Sequence, residues 1–471
     1  MPTQDAAITG LFDRAIRGIT AVWREMAAGV AKGEDESVTA QMRACLAARG
    51  GEVSARNRAA KLAQTYLGLN DSGRLEFLRV LAGFDSDADS VTKAFESLRA
   101  ATDPAERAAA QTALRRVLEP PRARLLTQFT AIPDGMRFLV QLRAFLNAER
   151  KSDKLLAALE SDLRNLLASW FDVGFLELRR IDWSSPAALL EKLVGYEAVH
   201  EIRSWRDLKN RLDSDRRCYA FFHPRMPDEP LIFVEVALVK GLASSVQRLL
   251  DQKAPVLDAR EADTAIFYSI SNCQQGLAGI SFGNFLIKRV VDELSAEFRN
   301  LKQFATLSPI PGFRHWLEEQ LGTAHVDLLT DEESADLRSA LSAHGEPPAG
   351  GVAALARILA RRGWPRDVAL VKTTEPVLLR LCARYLLTEG PATQTGGKRA
   401  RDPVAHFHLS NGARVERVTM LADTSEKGVK ESATLMVNYL YDPARIEAFH
   451  EEYAGEGKRN ASQAVRRLAR L

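Results

Sequence analysis

Residues 263–313 read DTAIFYSISNCQQGLAGISFGNFLIKRVVDELSAEFRNLKQFATLSPIPGF. The run 264–270 (TAIFYSI) is β-branched and aromatic with no charge, which predicts a buried strand. Gly276, Gly279 and Gly283 then punctuate a loop. Phe285, Leu286, Val290, Leu294 and Phe298 recur at helical spacing, which predicts a helix from about Phe282 with Ser281 as its N-cap. A strand, a glycine loop and a helix N-terminus in that order can hold a phosphate, because backbone N–H groups and the helix dipole both favour an anion there. The spacing is neither a P-loop, which needs Gly-Lys-Ser/Thr, nor G-x-G-x-x-G.

Outward from this stretch the texture of the chain differs on the two sides. Residues 1–170 carry serial helical stripes: Ile8, Leu11, Phe12, Ile16, Ile19, Trp23 and Met26; then Met136, Leu139, Leu142, Phe145 and Leu146; then Leu155, Leu156, Leu159, Leu163, Leu166, Leu167 and Trp170. Gly, Pro and Asn/Asp breaks separate them, with Pro120-Pro121 placed to begin a helix. No fixed period recurs, so a helical bundle is expected over 1–170, serving packing and self-association. After Trp170, strand-like runs begin at 219–222 and 231–238, separated by the proline-rich HPRMPDEP, read as a turn. Helices are expected over 326–343, 352–362 and 375–387, and another is expected to open at Asp442-Pro443. Residues 404–420 read as a hairpin with Asn411-Gly412 at its turn. The expectation is therefore an α+β, two-domain protein, with a helical domain over 1–170 and an α/β domain with a mixed sheet over 171–471.

Composition narrows the function. Lys plus Arg exceed Asp plus Glu by only 64 − 61 = 3, which argues against a dedicated nucleic-acid binder. The four cysteines are scattered, with no Cys-x-x-Cys, so neither a disulfide framework nor a zinc site is expected, and a reducing cytoplasm is the natural setting. No run of eighteen apolar residues predicts a membrane span, and the N-terminal residues lack the pattern of a secretory signal.

A few side chains could carry chemistry. On the expected hairpin His406 and His408 would share one face, with Ser410 following. A His-x-His pair can bind metal, but no third ligand has recognisable spacing, and no metal is expected. Ser308 sits in Leu-Ser-Pro-Ile-Pro-Gly-Phe (307–313), where two prolines and a glycine fix the backbone and suit a pre-positioned side chain; the plainer reading is a Ser-Pro turn. No Gly-x-Ser-x-Gly elbow surrounds it, which argues against a hydrolase nucleophile. His200, His223, His315, His325, His344 and His450 are isolated and read as structural or solvent-facing.

Cys273-Gln-Gln-Gly-Leu-Ala278 resembles the phosphate loop of GNAT-type acyltransferases, which cradles the pyrophosphate of coenzyme A; Cys273 stands where that loop has Gln or Arg. Together with FYSIS, NFLIKRVV, LSPIPGF and Val404-Ala-His-Phe-His-Leu-Ser-Asn-Gly-Ala413, the chain from about Trp170 to Tyr441 resembles the malonyl-CoA decarboxylase family. The resemblance implies a GNAT-like catalytic domain and conversion of malonyl-CoA to acetyl-CoA and CO2 through a thioester enolate. It implies no cofactor, since coenzyme A is part of the substrate, and a homo-oligomer, a tetramer, with the helical domain contributing contacts. Ser308 and His408 match the family's catalytic serine and histidine, with Ser308 as proton acceptor and His408 as donor; the residues themselves leave open which group handles which proton. Tyr441 matches an active-site tyrosine; its plainer reading is an aromatic at a strand end. Gly276, Leu277, Ala278, Gly279, Ile280, Ser281, Phe282, Gly283 and Asn284 match the loop that binds coenzyme A. Relatives carry an acidic residue where this chain has Ser281. Two other readings stay open from the sequence: a coenzyme A-dependent N-acyltransferase, which would transfer acetyl groups to amines, and a coenzyme A-binding regulatory protein without catalysis, against which an intact Ser308 and His408 speak.

Overall fold

The computed structural model describes Trp23 and residues 37–47, 51–150, 153–280, 286–323, 328–390 and 399–470. Most of the expected stripe from Ile8 to Met26, the N-cap at Ser281 and the first turn of the helix expected from Phe282 lie outside these residues. Among the continuous described segments eight helices come first: α1 (Val38–Leu46), α2 (Glu52–Gly68), α3 (Asp71–Ala82), α4 (Ala88–Ala100), α5 (Pro104–Leu118), α6 (Pro121–Gln128), α7 (Gly135–Glu149) and α8 (Lys154–Trp170). Local chemistry starts them. Asn70, Asp87, Asp103 and Asp153 each accept a hydrogen bond from the first turn of the helix they precede, and Pro121 opens α6, where a missing N–H costs nothing. The two long C-terminal stripes are α7 and α8, which bury Met136, Leu139, Leu142 and Leu146, and Leu156, Leu159, Leu163 and Leu167.

Among the described residues, strands begin at Glu177. The order from there is β1 (Glu177–Ile181), α9 (Ala187–Tyr196), α10 (Trp205–Arg211), β2 (Arg216–His223), β3 (Met226–Val239), α11 (Val246–Leu249), β4 (Thr264–Asn272), α12 (Leu286–Glu297), β5 (Gln303–Thr306), β6 (Ser308–Pro309) and α13 (Phe313–Gly322). Then follow α14 (Asp331–Ala343), α15 (Gly351–Ala360), α16 (Val368–Thr388), α17 (Pro403–Ser410), β7 (Arg414–Thr419), α18 (Glu426–Ser432), β8 (Met436–Tyr441), α19 (Ile446–Glu451) and α20 (Gln463–Ala469). The sheet runs β1-β2-β3-β4-β5-β8-β6, with β7 also paired to β8. Every pairing is antiparallel except β4 with β5.

That parallel pairing is short. It joins Thr264 to Gln303 and ends at Phe267 opposite Thr306. Leu307 N–H still donates to Phe267 C=O (3.0 Å). Beyond it β4 runs on to Asn272, while Ser308 and Pro309 pair only with β8. The two strands part, and a wedge opens between them. At its mouth β4 carries a bulge: Glu235 and Val236 of β3 face Ser269 and Phe267, which leaves Tyr268 as the extra residue.

The apolar core joins the two halves of the chain. One continuous cluster contains Phe138, Leu139 and Val140 of α7, Leu277 and Ile280 of the glycine loop, and Tyr439 and Tyr441 of β8. Two smaller clusters lie elsewhere on the sheet, one of them beneath α9 and α10.

Three sequence expectations need correction. HPRMPDEP is not all turn: β2 ends at His223 and β3 begins at Met226. Pro227 and Pro230 fit within β3 because its pairing with β4 begins only at Ile232, and the register with β2 shifts beside them. Pro443 precedes rather than opens its helix, which starts at Ile446. Most consequential, residues 404–420 are not a hairpin. Asp402 caps a helix, α17, by accepting from Val404 N and Ala405 N (2.9 and 3.0 Å), with Pro403 in its first turn. Asn411-Gly412 stops it. Gly412 has φ +79°, its N–H donates to Leu409 C=O, and Ala413 N–H donates to His408 C=O, the paired bonds of a Schellman motif.

Gly412 therefore fixes both the end of α17 and the setting of His408. A Cβ there would lie 2.1 Å from Ile446 C=O, on a left-handed backbone. Gly412→Ala is expected to destabilise the fold by about 1–3 kcal/mol, read as a lower urea midpoint. An unchanged midpoint would contradict this account of the α17 stop.

Candidate active site

Ser308, His408 and Tyr441 come together at the wedge although 133 residues separate the first from the last. The leaving strand sets Ser308 at its edge. The Schellman stop aims His408 inward from the last turn of α17. Tyr441 ends β8, which pairs with both β5 and β6. Ser308 Oγ lies 3.0 Å from His408 Nε2, and His408 Nδ1 lies 2.7 Å from the Tyr441 hydroxyl. All three side chains are buried. Ser308 and His408 line a cleft of about 230 Å³, together with Tyr268 and Ser269 of β4, Val199 and Phe407.

Two residues not singled out in the sequence orient this group. Ser308 Oγ–H donates to Thr306 Oγ1 (2.8 Å), and Thr306 Oγ1 also accepts Tyr439 N–H (3.1 Å). Thr306 is itself held by Asn438 Nδ2, which donates to its carbonyl (2.7 Å). Tyr439 stacks on the imidazole of His408, with centroids 4.5 Å apart and planes 26° apart. Because Ser308 gives its proton to Thr306, its bond with His408 is donated by Nε2–H. Nδ1 then accepts from Tyr441, and the histidine is the neutral Nε2–H tautomer. Burial alone pushes His408 down to about 3 and pushes Tyr441 well above the usual phenol range, so both are uncharged at rest.

Asp402 ties the segments that carry Ser308 and His408. Besides capping α17 it accepts Gly312 N–H (3.2 Å) from the Ser308 loop and the Tyr385 hydroxyl (3.4 Å). Burial raises its pKa against these bonds.

His406 does not join the group. On a helix, positions two apart lie on nearly opposite sides, and His406 turns to the Tyr453 hydroxyl (2.8 Å). The shared face expected of His406 and His408 fails because the segment is helical. Among the described residues no three His, Cys, Asp or Glu side chains gather as a metal site. His223, read as structural, meets Trp170 C=O at 3.1 Å.

The glycine loop lies between β4 and α12. Residues 275–277 form a single 3₁₀ turn. The N–H groups of Leu277, Ala278 and Ile280 are taken within the loop by Gln274, Gln275 and Leu277 carbonyls. Gly279 has φ +74°, and a Cβ there meets no atom of the described residues within 4 Å. Ser281, Phe282, Gly283 and Asn284 lie outside the described residues.

Comparison with known proteins identifies the family. Residues 84–171 match the family model "Malonyl-CoA decarboxylase N-terminal domain", and residues 174–471 match "Malonyl-CoA decarboxylase C-terminal domain". The chain is 37% identical over 424 residues to a mitochondrial malonyl-CoA decarboxylase of Anser anser anser, covering 87% of this chain and 83% of that one. The corresponding Mus musculus protein is also 37% identical, over 433 residues, covering 87% and 85%. Among solved structures, malonyl-CoA decarboxylase from Rhodopseudomonas palustris superimposes with a TM-score of 0.81 at 42% identity, covering 91% of this chain and 98% of that one. The Agrobacterium vitis enzyme gives 0.81 at 41%, covering 92% and 99%.

The buried neutral imidazole makes stability depend on acid. Unfolded, His408 titrates near its ordinary 6.5; folded, near 3. Between those values the unfolded chain holds a proton that the folded chain does not. Its contribution is therefore complete above pH 6.5 and is lost as pH falls toward 3. His408→Gln removes this dependence. The stability of the parent relative to the variant is expected to fall by about 1.4 kcal/mol per pH unit below 6.5, measured by urea unfolding at several pH values. A constant difference would contradict the buried neutral state.

Proposed function

The chain belongs to the malonyl-CoA decarboxylase family, and we propose that it converts malonyl-CoA to acetyl-CoA and CO2 with Ser308, His408 and Tyr441 as its catalytic group. The observation that carries this is the hydrogen-bonded line Tyr441–His408–Ser308 ending at a cleft between parted strands. The same wedge, followed by the glycine loop and α12, supports the GNAT-like reading of the catalytic part and a division of the chain near residue 170. In that reading the coenzyme A pyrophosphate lies at the loop, and the acyl group reaches into the wedge.

The chemistry sets the roles. When the carboxylate leaves as CO2, its bonding pair becomes the enolate of the thioester, whose carbonyl is the electron sink. No further cofactor is required. One proton must then be added to the α-carbon for each turnover. Neutral His408 takes it up as the malonyl carboxylate arrives. At about 3 Å and an effective dielectric of about 20, a carboxylate and an imidazolium attract by roughly 5.5 kcal/mol, equivalent to about four pKa units. That lifts His408 from about 3 to near neutrality. Nδ1–H then donates to Tyr441, whose phenol stays protonated. Loss of CO2 transfers negative charge to the enolate, and the imidazolium passes its proton to the α-carbon. With substrate bound, Ser308 turns its hydroxyl proton from Thr306 to the carboxylate and goes on accepting from Nε2–H, while the Thr306 hydroxyl holds Ser308 by donating to its oxygen.

The protein is further proposed to be a cytoplasmic homo-oligomer, a tetramer. The four cysteines are free and buried, as suits a reducing compartment. Among the described residues no helix is long and apolar enough to cross a membrane. Helices α4 and α5 bury no side chain within the chain, while Phe95 and Leu118 are half exposed, which supports association through the helical part.

Steady-state CO2 release from malonyl-CoA, without added metal, tests the proposal. His408→Asn is expected to lower kcat by ~10²–10⁴-fold, and Ser308→Ala by on the order of 10²-fold. His406→Asn should stay near the parent, because its side chain faces Tyr453. A crippled His406→Asn beside an active His408→Asn would overturn the assignment. Thr306→Val, which removes the acceptor for Ser308, should lower kcat by roughly tenfold, the weight of one positioning hydrogen bond. Gly279→Val should raise KM for malonyl-CoA; an unchanged KM in a folded variant would count against the loop as the phosphate site.

A further inference from the structure

We infer that Arg143, in the N-terminal helices, is a positioning residue for the substrate loop, turning the Gly279 N–H toward the phosphates of the substrate. The inference rests on reading that loop as the coenzyme A site and adds what sets its backbone.

Arg143 lies on α7 and is 2% exposed. Its Nη1 donates to two loop carbonyls, Gly276 C=O (2.6 Å) and Ala278 C=O (3.0 Å), more than 130 residues away in sequence. Its Nε and Nη2 both donate to Glu160 Oε1 of α8 (3.1 and 2.7 Å). Glu160 Oε2 is held in turn by Arg150 Nη1 (2.5 Å). Every nitrogen of the guanidinium is therefore committed, which only a planar, multi-donor group can do; an ammonium would satisfy one side or the other.

Peptide geometry converts this clamp into an orientation. In a trans peptide the C=O and the following N–H point in opposite directions. With Ala278 C=O drawn inward to Arg143, the N–H of Gly279 points away from α7. The neighbouring Leu277, Ala278 and Ile280 N–H groups are consumed within the loop, and Gly279 is a described position where an outward donor is set. The left-handed backbone of Gly279 follows this peptide unit. Gly276 keeps the loop close enough for the clamp: a Cβ there would lie 1.7 Å from Val140 C=O of α7. Helices α7 and α8 thus act on the loop as well as on the core.

Comparing malonyl-CoA with malonyl-pantetheine, which lacks the phosphates, isolates this role. Arg143→Gln is expected to raise KM for malonyl-CoA by about tenfold, the weight of a hydrogen bond to a charged group, with kcat nearly unchanged. Its kcat/KM for malonyl-pantetheine should match the parent, so the preference for the full substrate shrinks. Arg143→Lys should recover only part of it. If Arg143→Gln does not fold, Glu160→Gln leaves the guanidinium in place but loosens its anchor, and a smaller shift in the same direction is expected. A full preference retained in a folded variant would overturn the inference. So would an equal loss on both substrates, the mark of a merely structural role. A parent enzyme that does not prefer malonyl-CoA over malonyl-pantetheine would instead overturn the phosphate-loop reading beneath it.

Discussion

The early parting of β4 and β5 is the constraint on which the rest of this site depends. Had the two strands stayed paired beyond Phe267 and Thr306, Ser308 would be a ladder residue with no cleft beside it. Because the chain leaves β4 after Leu307 and keeps only β8, Ser308 is left at the edge of a wedge. The pairing it keeps holds Thr306 against β8, where Tyr439 N–H and Asn438 fix it. Cleft, serine and serine-orienting threonine thus follow from losing one strand partner while keeping the other.

Burial then supplies the chemistry. A histidine in water would be partly charged near neutral pH and would turn freely. Here the ring is stacked on Tyr439 and bonded at both nitrogens, and burial keeps it neutral. In the proposed mechanism such a ring takes a proton only when an anion arrives beside it, which would couple protonation to the substrate that needs it. The arrangement costs stability in acid, a cost the fold carries at its proposed functional centre.

Much of this was legible in the chain. TAIFYSI is an uncharged β-branched run, and it is the strand on which the wedge is built. The stripes of α7 and α8 were legible because each sets leucines on one face. Val404–Ala413 misled because Asn-Gly ends helices as well as hairpins; Asp402-Pro403, a capping residue followed by proline, was the signal for a helix start. Pro227 and Pro230 looked like turn residues, yet they sit on a stretch of β3 with one free edge. Thr306 and Arg143 gave no signal. A threonine in a strand and an arginine in a helix are ordinary, and the partners that give them their roles, Tyr439 for Thr306 and Gly276 and Ala278 for Arg143, lie 133 to 135 residues away across tertiary contacts that no local pattern encodes. As a group, Ser308, His408 and Tyr441 were legible only through family resemblance, and the geometry supplies the reason they meet.

Proton uptake on ligand binding tests the central claim most directly. A carboxyalkyl thioether of coenzyme A keeps the carboxylate but lacks the carbonyl, so it binds without reacting. Calorimetric titration in buffers of different ionisation enthalpy counts the protons taken up. The expected uptake is about half a proton near pH 7, approaching one near pH 6, in the parent, and none in His408→Asn. Binding without uptake in the parent, or equal uptake in the variant, would contradict it.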